Sequence, residues 1–227
     1  DEHGQKVQEA SEKRGVSPKE HADEYVKHFK DTWEKLHISY DYFIRTTETN
    51  HKSRVKEILE LLYKKGDIYF DEYEGLYSVS EERFITEKER EEGDYREIKK
   101  IKEKNYFFKM SKYQDQLLSH IKNNPNFIQP NSRRNEVLGF LRQPLNDLCI
   151  SRPKSRLSWG IELPFDNQYV TYVWFDALLN YITAIKWGDE DNNTFEKWWP
   201  ANYHLIGKDI ITTHAVFWST TLILASV

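Results

Sequence analysis

The sequence predicts an α/β fold in which helices and strands alternate around an open sheet and a small β-containing insertion interrupts them. Three observations lead there. Helical and strand-like periodicities succeed one another along most of the chain. Near its end, Tyr203–Ile206 reads as a short apolar strand, Gly207 as a turn, and Asp209 onward as a helix with Ile210, His214 and Trp218 on one stripe. Composition also shifts at Gly66, from an amphipathic helix to an aromatic, β-prone segment.

In order, residues from about Val7 to Ile38 carry a helical pattern. Ser17-Pro18-Lys19-Glu20 is a start signal within it, and Tyr25, Phe29, Trp33 and Leu36 form an apolar face. Ile38–Arg45 alternates and predicts a strand. Thr47 opens a second helix with Val55, Ile58, Leu59, Leu62 and Tyr63 inward, and Lys64-Lys65-Gly66 closes it. Asp67–Phe84 predicts strands with a turn at Glu74-Gly75, and the mixed-charge run to Lys104 predicts a solvated excursion or hairpin. Asn105–Met110 is strand-like and Tyr113–Ile121 helical. Asn135–Leu148 is helical in its first part, and Cys149–Arg152 returns towards a sheet. Ser158–Pro164 and Tyr169–Trp174 predict strands, and Asp176–Trp187 a helix. The chain therefore divides into residues 1–65, a connective insertion 66–130, and 131–227.

Composition narrows the function. A net charge of −4 over 227 residues, with a pI near 6.1, offers no global basic field for nucleic acid, and DNA is not expected as a partner. No run approaches the roughly 20 apolar residues that span a bilayer. The first residues, DEHGQKVQEA, lack the apolar segment of a signal peptide, so the expectation is a soluble, cytoplasmic protein with no membrane partner. A single cysteine, Cys149, excludes an internal disulfide framework and a cysteine-cluster metal site. The chain opens without Met and stops on an apolar run, which suggests a fragment.

Two stretches carry chemistry. At the strand–Gly–helix junction, Gly207 allows close approach of a ligand and Asp209 accepts hydrogen bonds from hydroxyls or an ammonium, at the sheet edge where such folds bind ligands. The same junction also suits an Asp that only caps its helix. In Tyr172–Tyr181, YVWFDALLNY, the residues Trp174, Ala177, Leu178 and Tyr181 share a face. They would form an aromatic slot ending in a hydroxyl, which suits an unbranched thioether; ordinary core packing is the competing reading.

Taken together, the motifs resemble methionyl-tRNA synthetase, a class I aminoacyl-tRNA synthetase. They are DEHGQK (Asp1–Lys6), FIRTT (Phe43–Thr47), GDIY (Gly66–Tyr69), YEGLYSV (Tyr73–Val79), YFFKMSKYQ (Tyr106–Gln114), FIQP (Phe127–Pro130), YVWFDALLNYI (Tyr172–Ile182) and HLIGKDI…H…W (His204–Trp218). The resemblance implies a Rossmann-like nucleotide-binding parallel sheet, and a ligase that activates L-methionine with ATP and Mg²⁺ before charging tRNA(Met). It places Asp1 on the methionine ammonium. Trp174, Ala177, Leu178, Tyr181, Ile210, His214 and Trp218 would line the side-chain pocket. Gly207 and Asp209 fall beside the ribose and the reacting carboxylate, Arg152 is a charge partner, and Glu162 is a weaker ribose candidate. His3 is chiefly a structural element of its loop in that pattern.

Three departures qualify this. The phosphate-binding HIGH motif would precede Asp1. Lys109-Met110-Ser111-Lys112 spells most of KMSKS but falls within the insertion and is a decoy, so neither lysine receives an ATP role. The CxxC of the family's zinc knuckle is replaced at Ser78 and Glu81, so no zinc is expected. A binding protein without chemistry, and a sister synthetase for a branched aliphatic amino acid, are the competing readings; the insertion is short for an editing domain.

Overall fold

The structure is a computed structural model that describes every residue except 80–82, 86, 93–94, 96, 192 and 226–227. Its first elements are α1 (Gln5–Arg14), α2 (Pro18–Lys35), α3 (Thr49–Lys64), β1 (Ile68–Ser78), β2 (Arg83–Ile85) and α4 (Glu87–Glu92). Then come β3 (Ile98–Phe108), α5 (Gln114–Asn123), α6 (Asn131–Phe140), β4 (Leu148–Cys149), β5 (Ser151–Pro153), β6 (Glu162–Leu163) and β7 (Asp166–Thr171). Helices α7 (Val173–Leu178), α8 (Asn180–Thr183), α9 (Asn193–Trp198) and α10 (Ser219–Ala225) complete the order, with 3₁₀ turns at Met110–Tyr113 and Lys208–Ile210 and a π-helix at Thr213–Trp218.

The protein is α/β, as expected, but its described strands make two small sheets, β2-β1-β3-β4 and β5-β7-β6. The pairs β1–β2, β1–β3, β3–β4 and β6–β7 are antiparallel. Parallel neighbours need a crossover of a dozen or more residues, whereas β6 and β7 are joined by the turn at Pro164-Phe165. The chain folds as two compact units, residues 1–57 with 152–199, and residues 58–151 with 200–227. That is a different partition from the one at 65/66 and 130/131, which rests on composition.

In the first unit, Gly15 ends α1. It adopts φ 68°, and its N–H and that of Val16 close on Glu12 and Ser11 carbonyls. The helical run from Val7 to Ile38 is therefore two helices. α2 starts at the capping box read in the sequence: the Ser17 hydroxyl accepts from the Glu20 N–H and the Glu20 carboxylate accepts from the Ser17 N–H. The apolar face expected on α2 is not a core face, since Tyr25, Phe29 and Leu36 are 49%, 56% and 63% exposed. Residues 38–45 form no strand. Tyr40 and Phe43 instead gather on the Trp33 ring at centroid distances of 5.4 and 5.3 Å, which a strictly alternating strand would prevent.

In the second unit, β1 and β3 pair over their full 11-residue lengths, from Ile68↔Phe108 to Ser78↔Ile98. The turn expected at Glu74-Gly75 does not form, because Gly75 lies mid-ladder opposite Ile101. The charge run is likewise partly ordered: Ile98–Lys104 is strand, with Lys100 and Lys102 ion-paired diagonally to Glu74 and Glu72. Buried apolar residues here include Ile58, Leu59, Leu62, Phe108, Leu117, Ile121 and Ile150, all fully inaccessible. α10 packs on α5 and on the 3₁₀ turn Met110–Tyr113.

Towards the end of each unit the expected boundaries move. β7 stops at Thr171 and α7 begins at Val173, so Trp174 lies in a first helical turn and not at a strand end. Residues 203–206 are irregular, with Tyr203 and Leu205 83% and 92% exposed, so the strand expected there is absent.

One contact tests the packing of the first unit. A Cβ at Gly160 would meet the Val170 Cβ at 2.9 Å, and Val170 is itself fully buried. Gly160→Ala should therefore lower stability by about 1–3 kcal/mol, read from thermal or denaturant unfolding, and because the clash is with the Val170 Cβ, adding Val170→Ala should not recover that loss.

Candidate functional site

The loop Asp1–Gly4 is held at three successive residues while its first residue faces solvent. The Glu2 carboxylate, 6% exposed at the residue level, accepts from Arg45 Nε at 2.5 Å and from the Thr47 hydroxyl. Its backbone N–H donates to Thr46 Oγ1 at 3.0 Å. The Glu2 carbonyl accepts the indole N–H of Trp159 at 2.6 Å, and the Gly4 N–H donates to the Trp159 carbonyl at 3.2 Å. Arg45, Thr46 and Thr47 thus spend their polar groups on this loop, with Arg45 also reaching Asp23 at 2.6 Å. Asp1 is exposed.

His3 is 7% exposed, and its Nδ1 lies 2.5 Å from Oδ2 of Asp176. The other oxygen of Asp176 lies 2.6 Å from Nε2 of His51, whose Nδ1 meets the Thr183 hydroxyl at 2.8 Å. Asp176 and His51 are both fully inaccessible. A carboxylate can only accept, so each histidine presents an N–H to it. Burial alone would raise the Asp176 carboxyl, but the bonds from His3 and His51 outweigh it and hold the group below its ordinary range.

Asp176 belongs to α7, and Leu179 keeps right-handed helical geometry between α7 and α8. The backbone therefore stays helical from Val173 to Thr183, and Trp174, Ala177, Leu178 and Tyr181 share a face at i, i+3, i+4 and i+7. Ala177 and Leu178 are buried, Trp174 and Tyr181 half-buried, and burial pushes the Tyr181 phenol up, so it remains a hydroxyl at neutral pH. Asp176 and Thr183 lie elsewhere on the same helical run, bridged by His51. Arg152 is buried with its guanidinium over the Tyr172 ring at 4.8 Å. Glu162 is exposed and paired with Lys154, whose hydrogen bond holds its carboxyl below the ordinary range.

The second unit carries the other expected residues. Asp209 is exposed in a 3₁₀ turn, and the residue capping that turn is Gly207, so Asp209 is not an N-cap here. Gly207 has extended backbone, φ −69° and ψ 151°, and a Cβ there would meet nothing within 4 Å. The local fold makes no demand for glycine at that position. His214 and Trp218 are buried on the π-helix, a form that widens the turn and is frequent at functional sites. His214 Nδ1 donates to the Ile210 carbonyl at 2.9 Å, which makes Nε2 the acceptor nitrogen of the neutral ring.

Lys109 and Lys112 have local partners. Lys109 Nζ donates to the Gly66 carbonyl at 2.7 Å, and Lys112 Nζ pairs with buried Asp67 at 2.8 Å. At the zinc-knuckle positions, Ser78 is a fully buried strand residue opposite Ile98, and Glu81 lies outside the described residues. Among the described residues no group of three or more His, Cys, Asp or Glu could hold a metal ion. With Cys149 as the one cysteine of the sequence, a thiolate zinc site does not fit this chain.

Sequence reasoning missed His51, Asp176 and Thr183 as a network. The available signal was His51 itself, four residues before Val55 on the apolar face of its helix.

A fold with this loop-and-helix arrangement is found in class I aminoacyl-tRNA synthetases. The structure superposes on Mycobacterium tuberculosis methionyl-tRNA synthetase in complex with methionyl-adenylate with a TM-score of 0.93 at 42% identity, covering all of this chain and 46% of that one. The apo form of the same synthetase gives 0.82 over 91% of this chain and 43% of that one. The chain belongs to the family tRNA synthetases class I (M), which it matches over residues 1–94 and 92–227. Methionine–tRNA ligase of Clostridium perfringens is 50% identical over 98% of this chain and 35% of its own length. That of Deinococcus radiodurans is 50% identical over 98% of this chain and 34% of its own. The chain thus spans about a third of the length of these relatives.

The histidines of the second unit predict a pH dependence. Burial lowers His204, reinforced by His214, and burial also lowers His214 despite its bond to the Ile210 carbonyl. Both fall below the ordinary 6.5, so the folded state binds fewer protons than the unfolded state. Their contribution is present above pH 6.5 and lost as pH falls through the lowered values. The melting temperature should drop between about pH 7.5 and 5.5, and His204→Gln with His214→Asn should flatten that drop.

Proposed function

We propose that this chain carries the methionine-binding part of a methionine–tRNA ligase, which joins L-methionine to ATP as methionyl adenylate and passes the methionyl group to tRNA(Met). The observation that carries the reading is the loop at the start of the chain: Glu2, His3 and Gly4 are fixed on every side, and Asp1 is presented to solvent. A carboxylate beside a loop held in this way suits an α-ammonium ligand. The likeness to a synthetase holding methionyl-adenylate, at a TM-score of 0.93, supports the substrate.

In this reading Asp1 accepts from the methionine ammonium. Trp174, Ala177, Leu178, Tyr181, Ile210, His214 and Trp218 receive the thioether chain. A flexible, polarisable sulfur gains about 0.3–1.5 kcal/mol from each aromatic contact. Gly207 and Asp209 serve the ATP ribose, with Glu162 as a further candidate. The room left above Gly207, which the fold does not use, supports a nucleotide there. Arg152 balances charge near the reacting groups.

Chemically, a methionine carboxylate oxygen attacks the α-phosphorus, a P–O bond forms, and pyrophosphate leaves with the electron pair of the broken bond. The 3′-terminal adenosine of tRNA then takes the acyl group and releases AMP. No side chain acts as nucleophile, and positioning with charge stabilisation supplies the acceleration. Mg²⁺ accompanies ATP, held mainly by its phosphates. Residues 1–65 and 131–227 are the two halves of a Rossmann-like catalytic domain in this proposal, residues 66–130 a metal-free connective insertion, and the protein cytoplasmic.

The test is amino-acid-dependent exchange of pyrophosphate into ATP by the full-length protein. Exchange with methionine and with no branched aliphatic amino acid is expected; its absence would falsify the proposal. Asp1→Asn should raise the methionine KM about 10- to 100-fold, the worth of a hydrogen bond to a charged group. Gly207→Ala should raise the ATP KM without lowering the melting temperature. Lys109→Ala and Lys112→Ala should leave the ATP KM within about twofold, since their partners lie in the insertion.

A further inference from the structure

The first unit contains a buried charge that the proposed chemistry does not use. Asp176 follows Trp174 by two residues and precedes Ala177 by one, so its carboxylate points away from the thioether face of the same helix. We propose that Asp176 is a positioning residue for amino-acid binding, its two oxygens fixing the Asp1 loop through His3 and α3 through His51. The inference rests on the reading of Asp1 as the ammonium ligand.

Four observations carry it. First, the carboxylate is divided: Oδ2 takes His3 at 2.5 Å and Oδ1 takes His51 at 2.6 Å, so neither histidine can leave without stranding an oxygen. An unpaired buried carboxylate is costly enough that the intact arrangement dominates. Second, His51 presents Nε2–H to Asp176 while its Nδ1 hydrogen-bonds the Thr183 hydroxyl at 2.8 Å. Thr183 lies seven residues after Asp176, two helical turns on, so one imidazole ties both ends of the run that bears Trp174, Ala177, Leu178 and Tyr181. Third, His3 is two residues from Asp1 and is boxed by the Trp159 ring at a centroid distance of 5.3 Å. The loop bearing the ammonium ligand is therefore referred to the Asp176 carboxylate. Fourth, Asp176 and His51 are fully inaccessible and His3 is 7% exposed, so no substrate touches the carboxylate. Its action on the amino acid passes through its neighbours.

A residue that only held the fold together would weaken every ligand alike, or none. A positioning residue weakens the ligands that use Asp1. Misplacing a binding group by about 1 Å can cost up to about 100-fold.

The experiment uses the full-length protein. Exchange kinetics and competitive inhibition by methioninol, which keeps the ammonium, and by 4-(methylthio)butanoate, which lacks it, are measured for wild type, Asp176→Asn, His3→Ala and His3→Asn. Asp176→Asn and His3→Ala should raise the methionine KM and the methioninol Ki by about 10- to 100-fold, with the ATP KM and the 4-(methylthio)butanoate Ki within about twofold. His3→Asn, which restores an N–H donor near the Nδ1 position, should recover most of the loss. Should Asp176→Asn fail to fold, the two His3 variants decide alone. Equal weakening of both inhibitors, an unchanged methionine KM in folded variants, or no recovery in His3→Asn overturns the inference while leaving methionine activation standing. Wild-type protein without methionine-dependent exchange overturns the functional reading, and this inference with it.

Discussion

The first unit is organised by the need to satisfy one buried carboxylate. Removing Asp176 from water costs several kcal/mol unless the charged form finds donors. The donors are two imidazoles drawn from residue 3 and residue 51, far apart in sequence. That pairing brings the start of the chain, the third helix and the α7–α8 run to a common point. The arrangement extends one step further, since the second nitrogen of His51 hydrogen-bonds the Thr183 hydroxyl. Apolar packing around Val170, Phe175 and Ile182 supplies cohesion, but it tolerates small slips that a divided carboxylate does not.

From this follows the contrast between Asp1 and its neighbours. Glu2, His3 and Gly4 have their side-chain or backbone polar groups engaged by Arg45, Thr46, Thr47, Trp159 and Asp176. The motif FIRTT acquires a physical meaning here, since its Arg and both Thr are the counterparts of Glu2. The loop that follows Asp1 is thus held in place before any ligand arrives. Preorganisation of that kind lowers the entropic cost of binding.

What could be read in the sequence was mostly what local chemistry decides. The Ser17–Glu20 capping box, the Gly66 stop after α3, and the shared face of Trp174, Ala177, Leu178 and Tyr181 depend on residues within two turns of each other. The lost readings depended on distant partners. Ile38–Arg45 alternates like a strand, but its aromatic rings Tyr40 and Phe43 collect on Trp33. Glu74-Gly75 has turn composition, yet the ladder with β3 carries it through as strand. The Asp176 network was hidden for the same reason, because its members stand 125 and 173 residues apart. The π-helix had no signal at all, since its residues fit an ordinary helical stripe.

The tetrapeptide Lys109–Lys112 shows how place decides what a motif does. Spelled as a nucleotide-binding signature, it carries two ammonium groups that could in principle meet phosphates. In the fold, Lys109 caps the open carbonyl of Gly66 after α3, and Lys112 neutralises Asp67, which is 2% exposed at the start of the same connection. Ser111 meanwhile gives its N–H and hydroxyl to Asp147, which also accepts from Tyr69. Moving either lysine to a phosphate would leave a buried carboxylate or a helix-end carbonyl to be resolvated. That cost recurs with every nucleotide bound, whereas a lysine on a solvated loop bears none of it. The local partners of Lys109 and Lys112 thus set a cost on any other use of the two ammonium groups.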